Sequence, residues 1–297
     1  MKNSSLLGTL LALSAAVLWG TTGTAQSFVA GQSSPYWIGA LRLLVASAFF
    51  ASVVYFGRTR QAHAMDGLRT AWHWVLLGGA AMAAYNLFFF AGVKATGVAT
   101  GTAVAIGSGP LWVGLLQGVL TRQMPPPVWW LGTALAVSGI GLMLNGASTG
   151  ASFEVTGFAL CLAAGLAYAS FTLVSKHLVG ITSAEMATFA VFTTAAFIAV
   201  PVAALTAGPL TATRGTWLMI GYLGLIATGI AFLLFSHALR HVAAATCVTL
   251  SLAEPLTAFV LAIVVVGERP GDIAFGGLAL VATGLLLVVW LETRGKG

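Results

Sequence analysis

Apolar residues run along this chain in blocks too long to be the buried face of an ordinary amphipathic helix. Ten such blocks, each of roughly 18–25 residues, cover approximately 6–29, 35–56, 71–93, 98–120, 128–145, 155–178, 183–206, 215–238, 243–266 and 272–291. A helix of that length crosses about 30 Å of hydrocarbon. Polar and turn-forming residues gather between the blocks, as in GQSSP at 31–35, RTRQAHAMDGLR at 58–69, TRQMPPP at 121–127, NGASTGASFE at 145–154 and GERPGD at 267–272. The pattern predicts an all-α membrane protein of ten transmembrane helices. The first block, following Lys2, also has the look of a signal peptide with a GTA cleavage site before Gln26. Its recurrence later in the chain favours a retained span.

That recurrence is the second pattern. GVATGTAVAIGSGPLWVGLLQ from Gly97 aligns with VAAATCVTLSLAEPLTAFVLA from Val242, an offset of 145. Pro110 falls on Pro255, Pro125 on Pro270, Gly132 on Gly277 and Gly139 on Gly284. Near the two starts, SAAVLWG at 14–20 matches AAGLAYA at 163–169, with Trp19 opposite Tyr168. The chain therefore reads as two five-helix units, residues 1–150 and 151–297, making one membrane domain. Five is odd, so the second unit enters the bilayer from the opposite side. Such inverted-topology repeats are typical of secondary transporters, with a cavity and substrate site between the halves.

Composition sharpens this. The 297 residues are 59% hydrophobic and 7% charged, against about 25% charged in an average soluble domain. The net charge of +6 does not imply nucleic acid, because the Lys and Arg residues are scattered and make no basic face. They set orientation instead. With the amino terminus inside, Lys2, Arg58, Arg60, Arg69, Arg122, Lys176, Arg240, Arg294 and Lys296 lie inside, and Lys94, Arg214 and Arg269 outside. Nine against three places both termini in the cytoplasm. Cys161 and Cys247 sit in apolar blocks and are expected to be buried free thiols. The five histidines lack metal-ligand spacing, and no nucleophile elbow or phosphate-binding loop occurs, so neither an enzyme nor a bound metal or cofactor is expected.

Within the ninth block, LSLAEPLTAF places a carboxylate, Glu254, beside Pro255. A proline lacks its own N–H and displaces the carbonyl four residues earlier. Pro110 and Pro255 are thus expected to free the carbonyls of Ile106 and Ser251 at matching depths, giving hinges and two patches of acceptors. Free carbonyls persist only against protein or a water-filled cavity. Such patches suit a ligand's ammonium group, with Glu254 adding charge beside one of them. Glu254 as a packing residue hydrogen-bonded to neighbouring spans is the other reading, and a proton carrier the third.

The remaining candidates are polar-tipped side chains deep in spans: Trp19, Tyr85, Asn86, Ser108, Trp112 and Tyr168. Aromatic walls with few polar anchors suit a small amphipathic molecule; helix packing is the alternative use of each. His237 is a proton site or an interfacial histidine. Lys176 is expected to snorkel to the cytoplasmic interface, with gating or carboxylate binding as the second reading. Arg42 is expected to cap helices, with capture of a substrate carboxylate as the second reading.

Ten spans in two copies, the EP-containing ninth span, the GERP segment at 267–270 and ALRLLVA at 40–46 resemble the drug/metabolite transporter superfamily, EamA-domain branch. The chain is most similar there to YddG-type exporters. The resemblance implies export of aromatic or other apolar amino acids and related metabolites across the bacterial inner membrane by alternating access. It also implies that spans one, three, four, six, eight and nine line the cavity. The first copy departs from the pattern, with TRQMPPP where the second has GERPGD, and the first span lacks the glutamate of the small multidrug relatives. Proton coupling is accordingly not implied. A carrier for another metabolite or a cationic drug by proton antiport, and a channel, remain alternatives. The partners implied are a small-molecule substrate and the lipid bilayer, with a monomer as the simplest assembly.

Overall fold

The computed structural model describes residues 2–28, 34–57, 62–145, 155–267 and 269–294. Arg58, Arg60, Glu268, Lys296 and the connection between the two halves lie outside them. Apart from a turn at Ser251 and Leu252 in span nine, the described residues of the spans are helical. Spans one to five are α1 (Lys2–Ser27), α2 (Pro35–Phe56), α4 (Trp72–Thr96), α5 (Val98–Thr121) and α6 (Pro127–Asn145). Spans six and seven are α7 (Val155–Ile181) and α8 (Ala184–Thr206). Span eight comprises α9 (Arg214–Tyr222), a π-helical stretch at Leu223–Ile230 and α10 (Ala231–His241). Span nine comprises α11 (Ala244–Leu250), α12 (Ala253–Leu261) and a π-helical end at Ala262–Val266. Span ten is α13 (Asp272–Arg294).

Among the described residues nine of these are long and apolar enough to cross a membrane, and the apolar part of α6, Pro127–Met143, is a shorter tenth. At 19 residues, α6 as a whole reaches about 28 Å. The boundaries follow local chemistry. Pro35 opens α2 at its first turn, where its missing N–H has no partner to lose. Ser183 accepts from the Met186 N–H to cap α8, and Thr213 and Thr216 form a reciprocal capping box on α9. Gly97, at φ 86°, turns α4 directly into α5, a left-handed conformation that a side chain would strain. The segment expected as a plain break at 58–69 contains a short amphipathic helix, α3 (Ala62–Thr70). Its Gly67 lies against the Ile181 carbonyl.

The packing carries the repeat into three dimensions. Spans three and six pair, as do their counterparts eight and one; spans four and six pair, as do nine and one. Spans two and seven pair with each other, and so do five and ten. The last contact is the most extensive in the bundle. A Cβ on Gly139 would lie 2.5 Å from the Gly277 carbonyl, and one on Gly132 would lie 2.9 Å from the Gly284 carbonyl. Exchanging repeat partners, Gly132 for Gly277 and Gly284 for Gly139, converts the second contact into the first. The pseudo-two-fold axis therefore passes between α6 and α13. Glycines are needed here because without a hydrophobic drive between helices in lipid, close backbone approach supplies the attraction. At the other end of these helices, Ser5 donates to the Glu292 carbonyl at 3.0 Å. Both ends of the described chain thus lie on one side of the bundle.

Candidate functional site

Span nine breaks beside Glu254. Leu252 N–H donates to the Thr249 carbonyl at 3.0 Å, and Glu254 N–H to the Ser251 carbonyl at 2.9 Å. Both bonds span three residues, so the chain tightens by one residue just before Pro255. This corrects the expectation of a free Ser251 carbonyl: the Glu254 amide occupies the acceptor that Pro255 cannot. Span four, in contrast, runs as one helix through Pro110, with Ile106 buried. The two proline sites thus differ: span nine breaks at Pro255 and span four does not break at Pro110. What the break does achieve is to restart the helix at Ala253, placing Glu254 in its first turn.

The Glu254 side chain is half-buried. Among the described residues it makes no hydrogen bond or ion pair, although it lies within coulombic reach of Arg42, Tyr85 and Tyr168. Gly20 of α1 presses on its carbonyl and on Thr257. Around it stands an aromatic wall. Tyr168 faces Tyr85 with ring centroids 5.5 Å apart, and Trp19 meets Tyr168 edge-on at 6.4 Å. Phe232 and Phe235 of α10 back Trp19 at 4.8 and 5.3 Å. The buried indole nitrogen of Trp19 and the hydroxyl of Tyr168 have no hydrogen-bond partner among the described residues. Ser251, beside Tyr168, turns its hydroxyl to the Val248 carbonyl at 2.6 Å.

Arg42 corrects its expectation. Among the described residues it caps no helix; one guanidinium nitrogen donates to Asn86 Oδ1 at 2.7 Å, with the charge over Phe90 at 5.8 Å. Six of the eight expected substrate contacts, Trp19, Tyr85, Asn86, Tyr168, Ser251 and Glu254, thus join Arg42 in one region. The other two lie on α5, whose Gly109 borders the Tyr168 ring. Ser108 is buried, donates to the Ala105 carbonyl at 3.2 Å and contacts the face of Gly165. Trp112 is half-buried, with a buried indole N–H that lacks a partner among the described residues. Away from the termini along α1 and α12, a cavity of about 590 Å³ is lined by Thr21, Thr24, Phe28, Met219, Tyr222 and Leu261. Thr21 and Tyr222 share a hydrogen bond of 2.7 Å there.

At the end of the bundle that carries both termini, contacts are polar and closed. Lys176 reaches the end of span eight, where its ammonium donates to the carbonyls of Leu239 and Val242. A cation there also meets the negative end of α10. Thr246 donates to Glu292 at 2.8 Å. His237 pairs with Glu185 at 3.2 Å. Glu185, Phe232, Phe235 and Phe90 escaped the sequence reading. Glu185 could have been suspected from its place in the first turn of α8, but nothing linear links it to His237. Cys161 and Cys247 are both buried free thiols.

A profile of the EamA-like transporter family matches residues 6–145 and again 155–290. The chain belongs to the EamA-like transporter family. The double match covers both halves, and members of this family are transporters rather than enzymes. The uncharacterized transporter YwfM of Bacillus subtilis (strain 168) is 36% identical over 280 residues, covering 94% of this chain and 92% of that protein. The uncharacterized transporter sll0355 of Synechocystis sp. is 27% identical over 142 residues, 48% of this chain and 42% of that one. A solved crystal structure superposes with a TM-score of 0.82 at 22% identity, covering 98% of this chain and 99% of its own. That likeness concerns the fold alone. This EamA-like transporter thus moves small molecules through a ten-span inverted repeat.

The broken ninth span yields a prediction. Pro255→Ala restores an amide at position 255 that can bond the Ser251 carbonyl, so that the helix can run on through the break. Span nine should straighten and transport should slow several-fold, with insertion and yield unchanged. Pro110→Ala should do less, because α5 is already continuous. Equal, wild-type flux in both variants would identify the prolines as packing residues and not hinges.

Proposed function

We propose that this transporter exports aromatic or other apolar amino acids and related small metabolites across the bacterial inner membrane, with both termini cytoplasmic. The observation that carries this reading is Glu254: a carboxylate midway along a span, without a hydrogen-bond partner among the described residues, facing an aromatic wall. An ionised side chain in the membrane interior is costly unless it meets a partner. A substrate ammonium group supplies one, and Trp19, Tyr85 and Tyr168 supply surface for an apolar side chain. The resemblance to YddG-type exporters points the same way.

Transport proceeds by rocking of the halves 1–150 and 151–297 about this region. The polar contacts of Lys176, Thr246 and Glu292 close the termini end. The cavity beside Thr24 and Phe28 lies toward the other end. This arrangement suits one closed and one accessible side, as alternating access requires. A lone carboxylate would also bind a cationic drug in exchange for a proton, which is the second reading.

The test is a panel of apolar amino acids and organic cations on purified protein in proteoliposomes, with and without an imposed pH gradient. Saturable amino-acid flux with counterflow is the expected result. Flux of cations alone, driven by the pH gradient, would replace the proposal with the second reading. Linear, unsaturable flux would make the protein a channel.

A further inference from the structure

Arg42 and Glu254 are opposite charges in one site, and they do not touch. Arg42 comes from α2 in the first half and Glu254 from α12 in the second. Each lies within coulombic reach of the other, yet among the described residues no ion pair joins them. Opposite charges away from water normally close into a pair, because each uncompensated charge is costly there.

The separation has a visible cause on the Arg42 side. Asn86 is 2% exposed, and its amide nitrogen donates to the Met82 carbonyl at 3.0 Å. That bond turns Asn86 Oδ1 toward Arg42 and takes up one guanidinium nitrogen at 2.7 Å. The Phe90 ring supports the charge from one face. A guanidinium carries five N–H donors in a planar fork. Among the described residues one side-chain bond uses them, and the buried Nε has no partner. A rigidly held, largely unused fork is suited to a carboxylate, which it can grip through two parallel bonds.

We propose that Arg42, held by Asn86, receives the substrate's carboxylate while Glu254 receives its ammonium group, so that the carrier selects zwitterions. The inference rests on the amino-acid reading above and adds to it the group that determines specificity. A zwitterion bridges the two fixed charges and leaves no net charge in the site. An amine without a carboxylate leaves Arg42 uncompensated. A carboxylic acid without an amine does the same to Glu254. Sites with buried polar groups reject analogues lacking one partner far more strongly than they discriminate by apolar size. The aromatic wall then takes the remaining side chain without regard to its details.

The experiment uses full-length protein in proteoliposomes, labelled phenylalanine as the transported probe, and phenethylamine and 3-phenylpropionate as competitors. The first competitor lacks the carboxylate and the second lacks the ammonium group, while both keep the ring. In the wild type each should compete at least roughly tenfold more weakly than phenylalanine. Arg42→Gln should weaken phenylalanine at least roughly tenfold and bring phenethylamine level with it, since the variant no longer requires a carboxylate. Arg42→Lys keeps the charge but loses the fork, and should fall between. Phenethylamine competing as well as phenylalanine in the wild type would overturn zwitterion selection while leaving amino-acid export standing. Absence of phenylalanine flux in the wild type would overturn both. Competition in the wild type needs no variant, so poor folding of Arg42→Gln cannot shield the inference.

Discussion

Glu254→Gln is expected to lower the apparent affinity for a transported amino acid about ten- to a hundredfold, the equivalent of roughly 1.5–3 kcal/mol for a lost charge-assisted contact. Glutamine keeps the shape and hydrogen-bonding capacity and removes only the charge. Aspartate, with the charge one carbon back, should fall between. The size of the effect follows from the surroundings. No described residue hydrogen-bonds the carboxylate, so the ligand is the partner that the charge acquires. The nearby Arg42 loses a compensating charge at the same time. Flux and affinity for wild type, Gln, Asp and Leu, each with and without a pH gradient, separate the three roles of this residue. A coupling proton predicts that Gln abolishes the response to the gradient and spares gradient-free exchange. A scaffold role predicts that Gln is silent and only Leu is harmful, through yield. Wild-type affinity together with a wild-type gradient response in the Gln variant would sink substrate contact and proton coupling alike.

The second large effect lies far from that site. Gly277→Leu should greatly reduce the yield of folded protein, and Gly276→Leu, one residue away on the same helix, should not. A Cβ at position 277 would stand 2.5 Å from the Gly139 carbonyl and 2.7 Å from the Met143 amide. Those are backbone atoms that cannot swing aside, so α6 and α13 must separate. Overpacking of this kind costs typically about 1–3 kcal/mol, and here it acts on the most extensive helix pair of the bundle. At Gly276 an added Cβ meets nothing within 4 Å. Gly139→Leu should reproduce the loss from the other side of the axis, and Gly141→Leu, also in open surroundings, should not. Monodispersity and melting temperature in detergent provide the readout. Equal behaviour of Gly276→Leu and Gly277→Leu would mean that close backbone approach does not hold these spans together.

The spans were legible in the chain because lipid enforces them. A backbone in hydrocarbon must satisfy its own hydrogen bonds, so a long apolar block has little choice but helix. Nearly every boundary therefore lies within a few residues of its expected place, from Pro35 to Asn145. The repeat was legible for a related reason. Gly132, Gly139, Gly277 and Gly284 recur because the same close crossing is built twice around one axis, and glycine is the residue that permits it. Connections were less predictable. α3 appeared where charges and turn formers had indicated a plain break, since a short amphipathic helix at a membrane edge carries no long apolar run.

The sequence by itself determined that this chain is a ten-span bundle in two inverted halves, and it singled out Glu254, Arg42, Asn86, Trp19, Tyr85 and Tyr168 as residues whose depth needed a reason. Tertiary structure decided how they combine. Arg42 and Asn86 stand 44 positions apart and bond at 2.7 Å; Glu185 and His237 pair at 3.2 Å across two spans; Lys176 reaches across from α7 to cap α10. A period along a helix reports which side of that helix is apolar, and in lipid every side is. It carries no information about which helix a polar side chain will face. That choice belongs to packing, where a polar group buried in the bundle settles on the nearest partner that satisfies it. Asn86 and the backbone carbonyls of Leu239 and Val242 are such partners. The break at Ser251 and Leu252 arose in the same way, from one amide taking the acceptor that a proline could not.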